Sequence, residues 1–179
     1  MNQVKSPSRK RPNQIRDIKS MVIEEQVGSG TFGMVYLGRD KETNALLALK
    51  KIKMESEKDG FPVTAIREIK ILKALKHENI VELKEIVTYD GKEEDESDIT
   101  ATDSNFKRFQ NGDVFMVFEY VDFDLAGLIK KCQKKEIKFT EQYIRSYARQ
   151  LLEGVCYMHK NNILHRDLKV KLILMVIFM

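Results

Sequence analysis

The architecture turns on Val27-Gly28-Ser29-Gly30-Thr31-Phe32-Gly33-Met34-Val35, and on what its three glycines open. The spacing GxGxxG is shared with dinucleotide-binding folds, where the glycines open a helix. Here the residues that follow, Met34-Val35-Tyr36-Leu37, are a β-prone run ending near Gly38, so the glycine-rich segment joins two strands. Without a Cβ, such residues let backbone N–H groups come close to anionic oxygens. A hairpin of this kind therefore either lies over phosphates or is an ordinary tight turn. In Ala48-Leu49-Lys50, on the next strand, alternation puts Ala48 and Lys50 on one face: a small side chain to cover a flat base and a cation to reach phosphates. A single lysine in a strand is ordinarily a solvated cation. Lys50 differs because the following helix presents Glu68 at the border of its apolar face. A partly buried lysine and glutamate need each other, since either alone carries a desolvation cost on the order of several kcal/mol.

Outward from this segment, residues 21–27, 34–38 and 45–53 read as an antiparallel meander separated by a glycine-rich and a polar turn. Between Pro62 and His77, Ala65, Ile69 and Leu72, with Ile66 and Leu75 beside them, follow the three-and-four spacing of a helix. Pro62 sits just ahead of it, where a missing N–H costs nothing. Residues 80–88 and 114–120 read as two more strands. Between them Glu93, Glu94, Asp95, Glu96 and Asp98 mark an acidic insertion over 90–112, expected to be exposed and mobile because so polar a loop is not buried. Residues 125–131 read as a short helix followed by a lysine-rich turn. Thr140 is a candidate cap for a longer helix. Its Tyr143, Ile144, Tyr147, Ala148, Leu151, Leu152, Val155 and Cys156 form one broad apolar stripe, expected as core. Five strands around one helix, then a mostly helical half, make an α+β chain without an internal repeat.

Composition narrows the classes. With 42% hydrophobic and 32% charged residues over 179 positions, wholesale disorder, collagen and coiled coil are excluded. Thirty-one basic against 27 acidic side chains give +4, too small a surplus to argue for a direct nucleic-acid partner. Residues 1–19 are locally basic, with Lys5, Arg9, Lys10, Arg11, Arg16 and Lys19 against Asp17, and are expected as a disordered basic arm. Within it Arg9-Lys10-Arg11-Pro12 is a candidate nuclear-import signal. Cys132 and Cys156 stand apart and near no histidine at ligand spacing, which suits reduced thiols and neither a disulfide framework nor a zinc site. No apolar run follows the first charges and the last ten residues are too few to span a bilayer, so no membrane partner is expected and the chain is placed in the cytosol or nucleus.

His165-Arg166-Asp167-Leu168-Lys169 follows the long apolar helix and the polar link Lys160-Asn161-Asn162. Together with Gly28 to Val35, Lys50, Glu68 and the strand end Phe118-Glu119-Tyr120, in that order, it resembles a eukaryotic protein kinase over residues 20 to 169. The resemblance implies a protein kinase-like fold. Its complete N-lobe, over 20–120, is a five-stranded antiparallel sheet plus one helix. An incomplete helical C-lobe follows over 121–169, and then an atypical hydrophobic tail over 170–179. Phe61-Pro62-Val63-Thr64-Ala65-Ile66-Arg67-Glu68 is similar to the PSTAIRE helix of cyclin-dependent kinases, which a cyclin presses into place. A cyclin partner on the 61–76 helix is thereby implied. Val117 to Leu128 most resembles the transcription-associated members that pair with cyclin T or K, which favours the nucleus.

Carried over residue by residue, the resemblance makes Gly28, Gly30 and Gly33 the lid over the phosphates of ATP. Val27, Ser29, Thr31, Phe32 and Met34 belong to the same segment, and Val35 and Ala48 cover the adenine. Lys50, oriented by Glu68, holds the α- and β-phosphates. The carbonyl of Glu119 and the N–H and carbonyl of Val121 bond the adenine edge, Phe118 closes the back of the pocket, and Asp124 bonds the ribose. Asp167 accepts the proton of the substrate hydroxyl, and Lys169 marks a serine/threonine rather than a tyrosine kinase. The pattern then breaks. Leu172 stands where the family places a Mg2+-binding asparagine, and no Asp-Phe-Gly occurs anywhere in the sequence, so neither metal-ligand side chain is present. The break implies a kinase domain cut off inside its catalytic loop. Two functions stay open: a serine/threonine kinase acting on protein substrates, inactive as this chain alone, or a non-catalytic module that binds a cyclin or a nucleotide.

Overall fold

The computed structural model describes residues 15–30, 33–54, 60–91, 108–121 and 124–168. Chain order is β1 (Arg16–Asp17), a 3-10 turn (Ile18–Ser20), β2 (Met21–Gly30), β3 (Gly33–Asp40), β4 (Leu46–Lys51), α1 (Val63–Ala74), β5 (Leu83–Thr88), β6 (Val114–Glu119), α2 (Leu125–Lys134) and α3 (Glu141–Lys160). The strands form one sheet in the order β1-β5-β6-β4-β3-β2. The five expected strands pair antiparallel as β2 to β6, and the sixth, β1, joins β5 in parallel through Arg16↔Val87 and Asp17↔Thr88. The sheet is therefore six-stranded and mixed, not five-stranded and antiparallel.

Alternation divides the sheet's side chains into two cores. One face carries Tyr36, Leu49, Phe115 and Val117 together with Ile18, Met21 and Ile23 from the first strands, all 1% exposed or less. The other carries Ile52, Leu83, Val114, Met116 and Phe118, and this is the face that α1 covers with Ala65, Ile69 and Leu72. Each large side chain taken fully out of water contributes about 1.5–3 kcal/mol, so burial on both faces fixes the register of every central strand. The expected spacing of Ala65, Ile69 and Leu72 is the one that packs. Thr140 caps α3 by accepting the Tyr143 N–H at 3.4 Å.

Three expectations need correction. Residues 15–19, expected within the disordered arm, are ordered. Ile18 is 0% exposed, the Asp17 carboxylate accepts the N–H groups of Lys19 and Asp90, and the Arg16 guanidinium bonds Asp40 at 2.7 Å and Glu85 at 2.9 Å. Counting the arm's charges hid the fact that their partners lie 24 and 69 residues away. The readings of residues 1–14 and 92–107 fall outside the described residues. The end of the acidic insertion is not a free loop either. Phe109 is 6% exposed and sets its ring edge-on to Tyr36 and Phe115, with centroids at 5.2 and 4.9 Å. Its neck is closed by Tyr89 N–H to Asp113 and Gly112 N–H to Tyr89.

The apolar stripe of α3 is the third. Only Gly154 and Met158 of this helix are buried, while Tyr143, Ile144 and Leu152 are more than half exposed. Periodicity identifies a face that needs cover; here Phe139 sets its ring against Tyr143 and Tyr147, with centroids at 6.3 and 5.9 Å, while Tyr143, Ile144 and Leu152 stay open.

Candidate functional site

The glycine-rich hairpin is built by β2 and β3 through the pairs Gly28↔Val35, Ser29↔Met34 and Gly30↔Gly33. The ladder slips between Gln26 and Gly28, which puts Val27 at a bulge where the hairpin bends. Gly33 is demanded by the fold: its φ is +115°, and a Cβ there would stand 2.4 Å from the Lys51 carbonyl oxygen. Gly28 is not. A Cβ on it would meet only the Val35 side chain at an ordinary 3.9 Å, so internal packing does not explain its bare backbone. Thr31 and Phe32, at the hairpin tip, lie outside the described residues.

On β4, Lys50 pairs with Val35 on one side and Met116 on the other, and Ala48 pairs with Leu37 and Phe118. Paired residues share a face, so Val35, Ala48, Lys50 and Phe118 all point to the side of the sheet that α1 covers. With Ala65, Ile69 and Leu72 packed down, Glu68 is left at the border of the helix's apolar face. It accepts the Lys50 ammonium at 2.8 Å, Lys50 being 18% and Glu68 43% exposed. The family resemblance has a cyclin pressing this helix inward, and the inward position of Glu68 is the one found here. The face of α1 turned away from the sheet carries Val63, Ile66 and Ile71, exposed at 61%, 38% and 41%.

Near the end of β6, Phe118 is buried in the α1-side core, and the chain leaves the sheet at Glu119. Lys84 of β5 reaches the Glu119 carboxylate and also that of Glu82, at 2.9 Å. Asp124, assigned to a ribose by resemblance, is the N-cap of α2: its side chain accepts the Gly127 N–H. Asp-Leu-Ala-Gly is a capping signature that the sequence already carried. In the loop after α3, Asn162 and Arg166 have φ of 59° and 62°, a left-handed backbone uncommon outside glycine. The Asp167 N–H is held by Nδ1 of His165 at 3.3 Å, which fixes the segment that presents the Asp167 carboxylate. Lys169 and Leu172 fall outside the described residues.

The helical half meets the sheet half through contacts the sequence reading missed. The His77 and Tyr157 rings stack at 4.8 Å, the Tyr157 hydroxyl accepts the Lys76 N–H, and the Asn79 amide bonds Glu153 at 3.1 Å. Asn79 is 4% exposed, and a buried amide needs such a partner. The structure thus gathers Gly28, Val35, Ala48, Lys50, Glu68 and Phe118 on one side of the sheet, and puts Asp124 and Asp167 on the helical half. Among the described residues no three His, Cys, Asp or Glu side chains cluster as metal ligands. No helix among them is long and apolar enough to cross a membrane.

The protein kinase domain family matches residues 21–177 of the chain. Cyclin-dependent kinase C-2 of Oryza sativa subsp. japonica is 50% identical over 145 residues, 81% of this chain and 27% of the rice protein. Cyclin-dependent kinase 12 of Drosophila melanogaster is 47% identical over 84% of the chain and 12% of its own length. For cyclin-dependent kinase 9 of Xenopus tropicalis the figures are 44%, 80% and 35%. The chain spans about a quarter of the length of the rice relative it matches.

Proposed function

The chain belongs to the protein kinase family, and from that premise we propose that it is the nucleotide-binding part of a cyclin-dependent serine/threonine kinase, which transfers the γ-phosphoryl group of ATP to protein hydroxyls. The observation that carries the reading is the 2.8 Å pair between Lys50 and Glu68, on the sheet face shared with Val35 and Ala48 and beside the hairpin of Gly28 to Gly33. ATP supplies the phosphoryl group. The bare backbone of Gly28 leaves room for close approach to its phosphates, and Gly30 and Gly33 continue that lid with Ser29, Thr31, Phe32 and Met34. Lys50 neutralises phosphate charge, and Glu68 keeps the ammonium aimed, which lowers the reorganisation needed at reaction. Val35 and Ala48 cover one side of the adenine, the backbone of Glu119 and Val121 reads its edge, and Phe118 closes the pocket.

Asp167 holds the proton lost by the attacking hydroxyl, and Lys169 stands beside it. Leu172 stands where the family places an asparagine and no Asp-Phe-Gly occurs in the sequence, so no step is derived through the metal. On its own this chain binds nucleotide and does not turn over. Val63, Ile66 and Ile71 offer the apolar surface for a cyclin, of the T or K class by similarity to the transcription-associated relatives. The nucleus is the matching compartment.

The test is calorimetric titration of the 179-residue chain with ADP. Lys50→Met weakens ADP at least about tenfold, the worth of one charge-assisted contact of about 1.4 kcal/mol or more, and leaves adenosine unchanged. Equal ADP affinity in parent and variant refutes the role of Lys50.

A further inference from the structure

The pairing of β5 with β6 contains one irregularity. Leu83 faces Phe118 and Glu85 faces Val117, so Lys84 is an extra residue, left out of the ladder at a β-bulge. A bulge re-aims the side chain it carries. Here the Lys84 ammonium reaches the carboxylate of Glu119, the last residue of β6, and that of Glu82 at 2.9 Å. Both bonds hold the Lys84 ammonium pKa above its ordinary value, Glu119 more strongly than Glu82. Lys84, Glu82 and Glu119 are each between 34% and 42% exposed, so the cluster adds little to global stability. What it fixes is a geometry. Glu119 is the point where the chain leaves the sheet, and the groups that read an adenine edge there are backbone atoms, aimed by whatever holds the chain at this position.

We propose that Lys84 is a positioning residue for the adenine end of the nucleotide site. Presented by the β-bulge, it tethers the Glu119 side chain and so sets the direction of the Glu119 carbonyl and the path to Val121. The inference rests on the reading of Glu119 and Val121 as the adenine-binding edge. It differs from the role of Lys50 in acting on the base and not on the phosphates.

Adenosine and ADP, titrated into the full 179-residue chain, separate the two lysines. Lys84→Ala weakens adenosine and ADP by the same factor, about threefold to fivefold, the scale of a half-exposed ion pair. Lys84→Arg restores both affinities, and Lys84→Ala has no further effect when Glu119→Gln is already present. The thermal midpoint of Lys84→Ala stays with that of the parent, as a half-exposed ion pair predicts, so the loss of affinity is not a loss of fold. Unchanged adenosine affinity in Lys84→Ala, or a loss confined to ADP, overturns the inference. Val121→Pro, which removes the N–H at the edge, distinguishes the two levels. If it weakens adenosine and Lys84→Ala does not, the inference alone fails. If it too leaves adenosine binding unchanged, the adenine-edge reading and the inference fall together.

Discussion

Replacing Asp40 with asparagine isolates one charge whose contribution follows from its surroundings. The side chain is 5% exposed at the end of β3. Burial alone pushes its carboxyl pKa up. That is outweighed by the Thr43 N–H at 2.8 Å, the Arg16 guanidinium at 2.7 Å and the Glu42 N–H at 2.9 Å, which together bring it down to about 2 from an ordinary 3.8. At about 1.4 kcal/mol per pH unit of difference, the carboxylate contributes about 2 kcal/mol at neutral pH. Because the folded-state value is the lower one, that stability is fully present above the ordinary value and disappears as pH falls through about 2. Asparagine keeps an oxygen for the Thr43 and Glu42 N–H groups but removes the negative charge that strengthens both of those bonds and faces Arg16. Urea unfolding of parent and Asp40→Asn is to be followed at pH 7, 5, 3 and 2. The parent is expected to be the more stable by about 2 kcal/mol at pH 7 and 5, with the gap narrowing at pH 3 and nearly closed at pH 2. Equal stabilities at pH 7, or a gap that does not change with pH, refute the reasoning and with it the account of how β1 is pinned to the sheet.

Incubated with Mg-ATP, a serine/threonine peptide and a cyclin, the 179-residue chain shows no turnover, because Leu172 and the absence of Asp-Phe-Gly leave it without metal-ligand side chains. Turnover abolished by Asp167→Asn contradicts this. A cyclin of the T or K class raises the chain's thermal midpoint, by about 2.7 kcal/mol of stabilisation at a hundredfold excess over Kd, and Ile66→Asp removes the rise by setting an unpaired charge in an apolar contact. Equal rises for parent and variant exclude α1 as the docking surface. Phe109→Ala costs about 3–5 kcal/mol in urea unfolding, the range for deleting a buried aromatic side chain. A loss below about 1 kcal/mol means that the end of the acidic insertion is not part of the core.

The sequence by itself determined the elements whose signal is local. A glycine-rich turn between β-prone runs specifies a hairpin, Ala65, Ile69 and Leu72 specify which face of α1 packs, and Ala48 and Lys50 share a face because a strand alternates. It also brought Lys50 and Glu68 together, since two partly buried opposite charges are stable only as a pair, and the structure has them at 2.8 Å. Tertiary structure decided whatever depends on partners far apart in the chain. Arg16 looked like part of a solvated arm until Asp40 and Glu85 were placed on either side of it. Phe109, at the end of an acidic loop, is core because Tyr36 and Phe115 leave a space for its ring. Lys84 reaches Glu119 only because the β5–β6 register slips by one residue, and a slip of register has no local signature. The stripe on α3 shows the same limit from the other side: periodicity says which side chains gain from leaving water, but burial needs a second surface, and only the packed chain shows whether one is there.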